Sequence, residues 1–160
     1  MRLPAREVAD KYQECVFRAA FSICRNQEDA EDIVQETFLR YIEGNCEYEN
    51  EQHIKAWLIR TAVNRSKNVV QSFWHRKREA FGDYMQEIPF KEPADRELVE
   101  TVLSLPEKYR IILYLYYYED YSVSEISEIL HLSANAVKSR LYRGRQLLKT
   151  KLGEEWRDDE

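Results

Sequence analysis

Apolar residues recur every three or four positions along most of this chain, the period of helices with one buried face. Residues 11–25 carry Tyr12, Cys15, Val16, Ala19, Ala20 and Ile23 at that spacing. A polar break at 26–29 holds capping residues, and a second stripe follows at Ala30, Ile33, Val34, Thr37, Phe38 and Tyr41. Gly44 gives the stop signal for this second helix. Its other side shows Glu31, Asp32, Gln35, Glu36 and Leu39. After a polar loop, NCEYENEQ at 45–52, a third helix is expected from near His53 to beyond Trp74, with Trp57 anchoring the amino-terminal core. Asn64, Lys67 and Asn68 share a polar face of that helix at i, i+3, i+4.

Residues 78–95 lose the period, hold Gly82, Pro89 and Pro93, and read as a linker. A stretch of that length without structure is unusual inside one compact domain, which favours two domains. Leu98, Val102 and Leu105 restart the helical pattern. The run IILYLYYY at 111–118 has the composition of a buried strand, but its setting favours a helix packed under the elements that follow. The expected fold is all-α: two small helical domains, 1–77 and 96–160, joined by a flexible linker at 78–95, the second ending in a helix-turn-helix.

That last motif occupies residues 121–152, YSVSEISEILHLSANAVKSRLYRGRQLLKTKL. Ser122 and Glu125 stand at capping-box spacing, and Ile126, Ile129 and Leu130 make a buried stripe. His131 and Leu132 form the turn, and Ser133 caps the second helix. At about 100° per residue, Val137, Leu141 and Leu148 share one face. Asn135, Ser139 and Tyr142 fall on the opposite face, flanked by Lys138 and Arg143. Such a helix fits a major groove, with amides and hydroxyls toward base edges and cations toward phosphates. Two packed helices with a solvated basic face are the plainer alternative for this segment taken alone.

Charge changes the picture. The net charge is −5, the wrong sign for coating DNA through bulk electrostatics. It is segregated, however: residues 28–51 carry nine acids and one base, whereas 60–78 carry six Lys or Arg and no acid. Residues 133–152 again carry six bases and no acid. One acidic segment followed by two basic ones implies two kinds of partner, nucleic acid and a protein with a basic or mixed face. No apolar run approaches the roughly 20 residues of a membrane span, and the amino terminus lacks the apolar core of a signal peptide, so a cytoplasmic location is expected. Cys15, Cys24 and Cys46 have no metal-ligand spacing, and their odd number argues for thiols rather than disulfides. The chain holds no Gly-rich phosphate loop, HExxH or paired-Cys motif. No catalytic site, metal or cofactor is expected, and the chain does not read as an enzyme.

Three segments together resemble bacterial sigma factors of the extracytoplasmic-function type, in the sigma-70 family. EDAEDIVQETFLRYIEG at 28–44 resembles the helix with which these factors grip RNA polymerase. AWLIRTAVNRSKN at 56–68 is similar to the helix that reads the −10 promoter element, and 105–152 to the domain that reads the −35 element. The resemblance implies a subunit that directs promoter-specific initiation. Asp32, Gln35, Glu36 and Leu39 would meet core polymerase. Asn64, Arg65, Lys67 and Asn68 would meet the −10 element, with Arg60, Arg76, Lys77 and Arg78 on phosphates. Asn135, Lys138, Ser139, Tyr142 and Arg143 would meet the −35 element, with Arg140 and Arg145 on backbone or solvent. The loop at 45–52 matches the one that captures a flipped base, with Tyr48 and His53 as stacking or lining residues. Implied partners are the β′ clamp helices and β flap of core polymerase, promoter DNA and an anti-sigma protein.

Three residues depart from the pattern. His131 stands at a usual Gly, Ser127 at a usual Ala, and Gly144 inside a helix costs roughly 1 kcal/mol relative to Ala. The competing reading is a free-standing helix-turn-helix regulator that binds operators as a dimer.

Overall fold

The computed structural model describes residues 1–71 and 96–153, all of its regular elements helical. They fall into two compact units, each described by itself. The expected linker at 78–95, the continuation of the third helix past Trp74, and Arg76, Lys77 and Arg78 lie outside the described residues.

In the amino-terminal unit, α1 spans Ala5–Cys24, α2 Gln27–Glu43 and α3 Glu51–Gln71. Helix α1 begins earlier than its apolar period at 11–25 implies. Pro4 stands at its cap, and Val8, fully buried, extends the stripe by one turn. Its end is abrupt. Arg25 takes a left-handed conformation (φ 52°) and its N–H bonds the Phe21 carbonyl at 2.8 Å. Asn26 then opens α2, its side chain accepting the Asp29 N–H at 2.8 Å, the cap that the polar break implies. The three helices meet through Val16, Ala20, Ile33, Ile54, Leu58 and Ala62, each at most 2% exposed. Ala at two of these positions lets the helix axes approach closely.

A polar clasp ties α1 to α3 at the surface. Glu51 accepts from Lys11 Nζ at 2.8 Å and from the Tyr12 hydroxyl. The Lys11 bond, with the Tyr12 bond behind it, holds the Glu51 carboxyl below its ordinary value. The folded chain therefore binds this proton less readily than the unfolded chain. The clasp's contribution is present at neutral pH and fades as pH falls through the depressed folded value. Glu51→Gln is expected to flatten the acid limb of the stability–pH curve without changing its neutral plateau by more than a surface pair is worth. Thermal unfolding between pH 3 and 7 checks this; an unchanged acid limb counts against it.

In the carboxyl-terminal unit, α4 spans Arg96–Leu103, α5 Glu107–Leu113, α6 Val123–Leu130 and α7 Ala134–Leu152. Leu105, expected at the end of the first of these, sits in the turn beyond it and is buried. The apolar run at 111–118 is helical as expected, but its second half, Tyr114–Tyr118, is a π turn. Widened bonds mark its exit: Glu119 N–H to the Tyr114 carbonyl at 3.2 Å and Tyr121 N–H to the Leu115 carbonyl at 3.0 Å. Ile111, Ile112 and Leu115 face the core, while Tyr117 and Tyr118 are exposed. Arg110, 4% exposed, donates to the Leu105 carbonyl at 2.6 Å and so fixes the α4–α5 turn.

Candidate nucleic-acid and polymerase interfaces

The helix-turn-helix is built from local signals. Ser122 Oγ accepts the Glu125 N–H at 3.1 Å and Glu125 returns the bond to the Ser122 N–H at 2.9 Å, closing a capping box. His131 ends α6 in the left-handed region (φ 57°) and its N–H bonds the Ser127 carbonyl. The usual Gly at this position avoids a cost of about 1 kcal/mol that His carries. The extra hydroxyl of Ser127 finds its partner in the Leu132 carbonyl. Ser133 Oγ accepts the Ala136 N–H at 3.0 Å and starts α7.

Helix α7 then divides cleanly. Val137, Leu141, Gly144 and Leu148 are buried; Asn135, Lys138, Ser139, Tyr142 and Arg143 are exposed. Tyr142 is 64% exposed, the largest apolar surface on this face. Arg140 is half-buried. Arg145, expected on backbone or solvent, instead donates to the Tyr117 hydroxyl at 2.6 Å and lies over the Tyr116 and Tyr117 rings, at 5.4 and 5.7 Å. It pins α7 to the π turn, because a guanidinium satisfies both a hydroxyl and an aromatic face. Gly144 sits where α7 crosses α5: a Cβ there would meet Leu113 Cδ1 at 3.2 Å. Propensity alone reads this glycine as a weakness, but the crossing is tight enough that Leu113 would have to shift by a few tenths of an ångström to admit a Cβ.

On α2, Asp32, Gln35, Glu36 and Leu39 fall within about 100° of one another at 100° per residue. Asp32, Gln35 and Leu39 are exposed and Glu36 is half-buried. Leu39 is 54% and Ile42 56% exposed, an apolar pair beside acids. On α3, Asn64 and Asn68 are exposed and Lys67 half-buried, on the side away from Leu58, Ala62 and Ser66; Arg65, also half-buried, lies at the edge of the buried face. Arg60 is half-buried. Two residues assigned from sequence to different partners are paired with each other: Arg65 Nε lies 3.0 Å from the Glu36 carboxylate. Glu36 is also 3.4 Å from Arg40, one turn along α2.

The loop between α2 and α3 differs from expectation at Tyr48. This residue is 3% exposed. Its ring stacks on Tyr41 at 5.8 Å and meets Trp57 edge-on at 6.0 Å. It belongs to the core and offers no open face to a base. Trp57 is half-buried in the same aromatic cluster. His53 stays exposed; its Nδ1 accepts the Glu49 N–H at 3.0 Å, and its own N–H bonds Asn50 Oδ1 at 2.9 Å.

Among the described residues no His, Cys, Asp and Glu group is arranged to hold a metal ion. No helix among them is long and apolar enough to cross a membrane. Cys15 and Cys24 are buried thiols and Cys46 an exposed one.

Comparison with known proteins agrees with this geometry. Residues 8–80 match sigma-70 region 2 and residues 95–148 match sigma-70 region 4. The chain is 32% identical over 152 residues to RNA polymerase sigma factor SigV of Bacillus subtilis, covering 90% of this chain and 88% of the relative. It is equally 32% identical over 152 residues to ECF RNA polymerase sigma factor SigM of the same organism, covering 89% and 91%. Among solved structures it shares the fold of the sigma factor RpoE in complex with the anti-sigma factor NepR from Bartonella quintana. There the TM-score is 0.71 at 17% identity, covering 94% of this chain and 98% of that one. CnrH in complex with the cytosolic domain of CnrY gives a TM-score of 0.66 at 22% identity, covering 95% and 89%. Two region matches in order, with full-length relatives at this identity, leave one conclusion: the chain is a sigma factor of RNA polymerase and belongs to the extracytoplasmic-function group of the sigma-70 family.

Proposed function

We propose that this sigma factor splits promoter recognition between two domains, 1–77 and 96–160, joined by a linker at 78–95. Asp32, Gln35, Glu36 and Leu39 of α2 bind core polymerase at the β′ clamp helices. Asn64, Arg65, Lys67 and Asn68 of α3 meet the −10 element, beside the base-capturing loop at 45–52. Asn135, Lys138, Ser139, Tyr142 and Arg143 of α7 meet the −35 element, and the second domain docks on the β flap. The observation that carries this reading is the one-sidedness of α7: all five of its assigned residues are exposed and none of its buried residues is polar. Two weak DNA contacts tethered on one polymerase add their affinities, which suits a chain of net charge −5. A free-standing operator-binding dimer is not favoured, since it leaves the acidic and apolar stripe of α2 without a role.

The protein acts in the cytoplasm as an initiation factor with no chemistry of its own. The complex of the sigma factor RpoE with the anti-sigma factor NepR supports an anti-sigma partner here too. Run-off transcription with purified bacterial core polymerase, on DNA from upstream of the chain's own gene, tests the function. Start-specific transcripts that require the protein are expected. A shift of that DNA by the protein alone, with no binding to core, would favour the operator-binding regulator.

Arg143→Ala is expected to cost roughly 1–3 kcal/mol of promoter binding if the guanidinium reads a base edge. Holoenzyme affinity for promoters altered one base at a time in the −35 element checks it. A loss confined to one position identifies the base read, whereas an equal loss on every sequence makes Arg143 a phosphate contact.

A further inference from the structure

Residues 1–3 lie against the far side of the α2–α3 loop. The Met1 carbonyl accepts the Tyr48 N–H at 3.0 Å, and the Leu3 carbonyl accepts the Tyr41 hydroxyl at 2.7 Å. Between them, Arg2 donates to the Tyr41 carbonyl and approaches the carbonyls of Cys46 at 3.4 Å and Ile42 at 3.5 Å. Its guanidinium also lies 4.5 Å from the centre of the Tyr41 ring. Tyr41 and Ile42 belong to the last turn of α2, whose carbonyls have no partner within the helix. A cation there satisfies those carbonyls and complements the negative end of the helix dipole.

One side chain therefore joins the end of α2 to the loop, while the neighbouring backbone pairs with Tyr48. Tyr48 in turn is wedged on Tyr41 and Trp57. At the other end of the loop, Asn50 and His53 fix the start of α3. Asn45, Cys46, Glu47, Glu49 and Asn50 are left exposed on a loop fastened at both ends. Such fastening removes the ordering cost a mobile loop would carry on binding.

We propose that Arg2 is a positioning residue for −10 recognition: it clasps the α2 end of the loop at 45–52 in the shape that receives an unpaired base. This rests on the assignment of that loop to the −10 element. Arg2 itself touches no DNA. Its loss lets the loop fluctuate while the three-helix core, the α2 stripe and α7, which belongs to the other unit, are unchanged.

Two measurements on Arg2→Ala, with Arg2→Lys beside it, test the proposal. In amide hydrogen exchange on the full chain, loop amides, Tyr48 above all, are expected to exchange about tenfold faster, a loss of about 1.4 kcal/mol of local protection. Core amides of α1 and α3 should not change. Unaltered loop exchange overturns the clasp. The second measurement uses reconstituted holoenzyme on a promoter library randomised in the −10 element, transcripts being read by sequencing. Arg2→Ala is expected to lose about tenfold in preference for the best −10 sequences, with −35 preference and core affinity retained. Arg2→Lys, which keeps the charge but not the planar fork, should fall between the two. A uniform loss on all sequences overturns the positioning role. If wild type discriminates and Arg2→Ala discriminates equally, the positioning proposal fails alone; if wild type shows no −10 preference, the loop assignment fails with it.

Discussion

Leu39→Arg is expected to leave the amino-terminal domain folded and, if α2 is the proposed polymerase face, to weaken binding to core polymerase by about thirtyfold or more. Leu39 is 54% exposed, so its side chain adds little to the packing of α2 on α1 and α3. Substitutions at such positions usually stay within about 0.5 kcal/mol of wild-type stability. In a complex the same side chain is removed from water. A large apolar residue at the centre of an interface, ringed by polar groups, is where truncation costs about 2 kcal/mol or more, or roughly thirtyfold in affinity. Asp32, Gln35 and Glu36 supply that ring on the preceding turns. Arginine also places a cation among acids that are proposed to meet basic residues of polymerase. Titration of labelled protein with core polymerase, beside a thermal melt, separates the two effects. Unchanged affinity would remove Leu39 from the interface, and a lowered melting temperature would show that it serves the fold instead.

Gly144→Val is expected to destabilise the carboxyl-terminal domain by roughly 1–3 kcal/mol, the usual cost of overpacking. A bare Cβ would already lie 3.2 Å from Leu113 Cδ1 and 3.4 Å from Leu113 Cγ, and Leu113 is itself 2% exposed. Two further methyl groups leave no direction in which Leu113 can retreat without moving α5 or α7. Either movement tilts the exposed face of α7, so −35 preference should weaken in the variant that still folds. Alanine is the control. It gains about 1 kcal/mol of helix propensity against a displacement of a few tenths of an ångström, and should lie much closer to wild type. A valine variant that melts with wild type would mean the crossing is looser than it stands.

How much could be read before the structure follows the range of the forces involved. The capping box at Ser122, the cap at Ser133 and the division of α7 into buried and exposed sides are set by residues within a few positions of one another. Their sequence spacing carries them. The role of Gly144 was not legible, because the reason for it is Leu113, in another helix. Nor was that of Arg145, whose partner Tyr117 lies 28 residues away. Tyr48 misled for a related reason. Its neighbours are polar, and only the aromatic cluster with Tyr41 and Trp57 makes the position apolar. The start of α1 was hidden because Val8 is the one large apolar residue between Pro4 and Tyr12, too few to mark a period in the first turns.

On the assignment proposed above, the pairing of Glu36 with Arg65 couples promoter binding to polymerase binding inside one small domain. A polymerase cation that takes Glu36 must compete with Arg65, and in winning it releases that guanidinium toward nucleic acid. By thermodynamic reciprocity, DNA that engages Arg65 frees Glu36 for polymerase to the same degree. The pair is partly exposed, so the coupling is at most a few-fold, and a double-mutant cycle on core and promoter affinities would measure it. Its sign matters more than its size: on that assignment, the factor off polymerase keeps one of its DNA-facing cations occupied and is expected to bind DNA slightly less well than its composition implies.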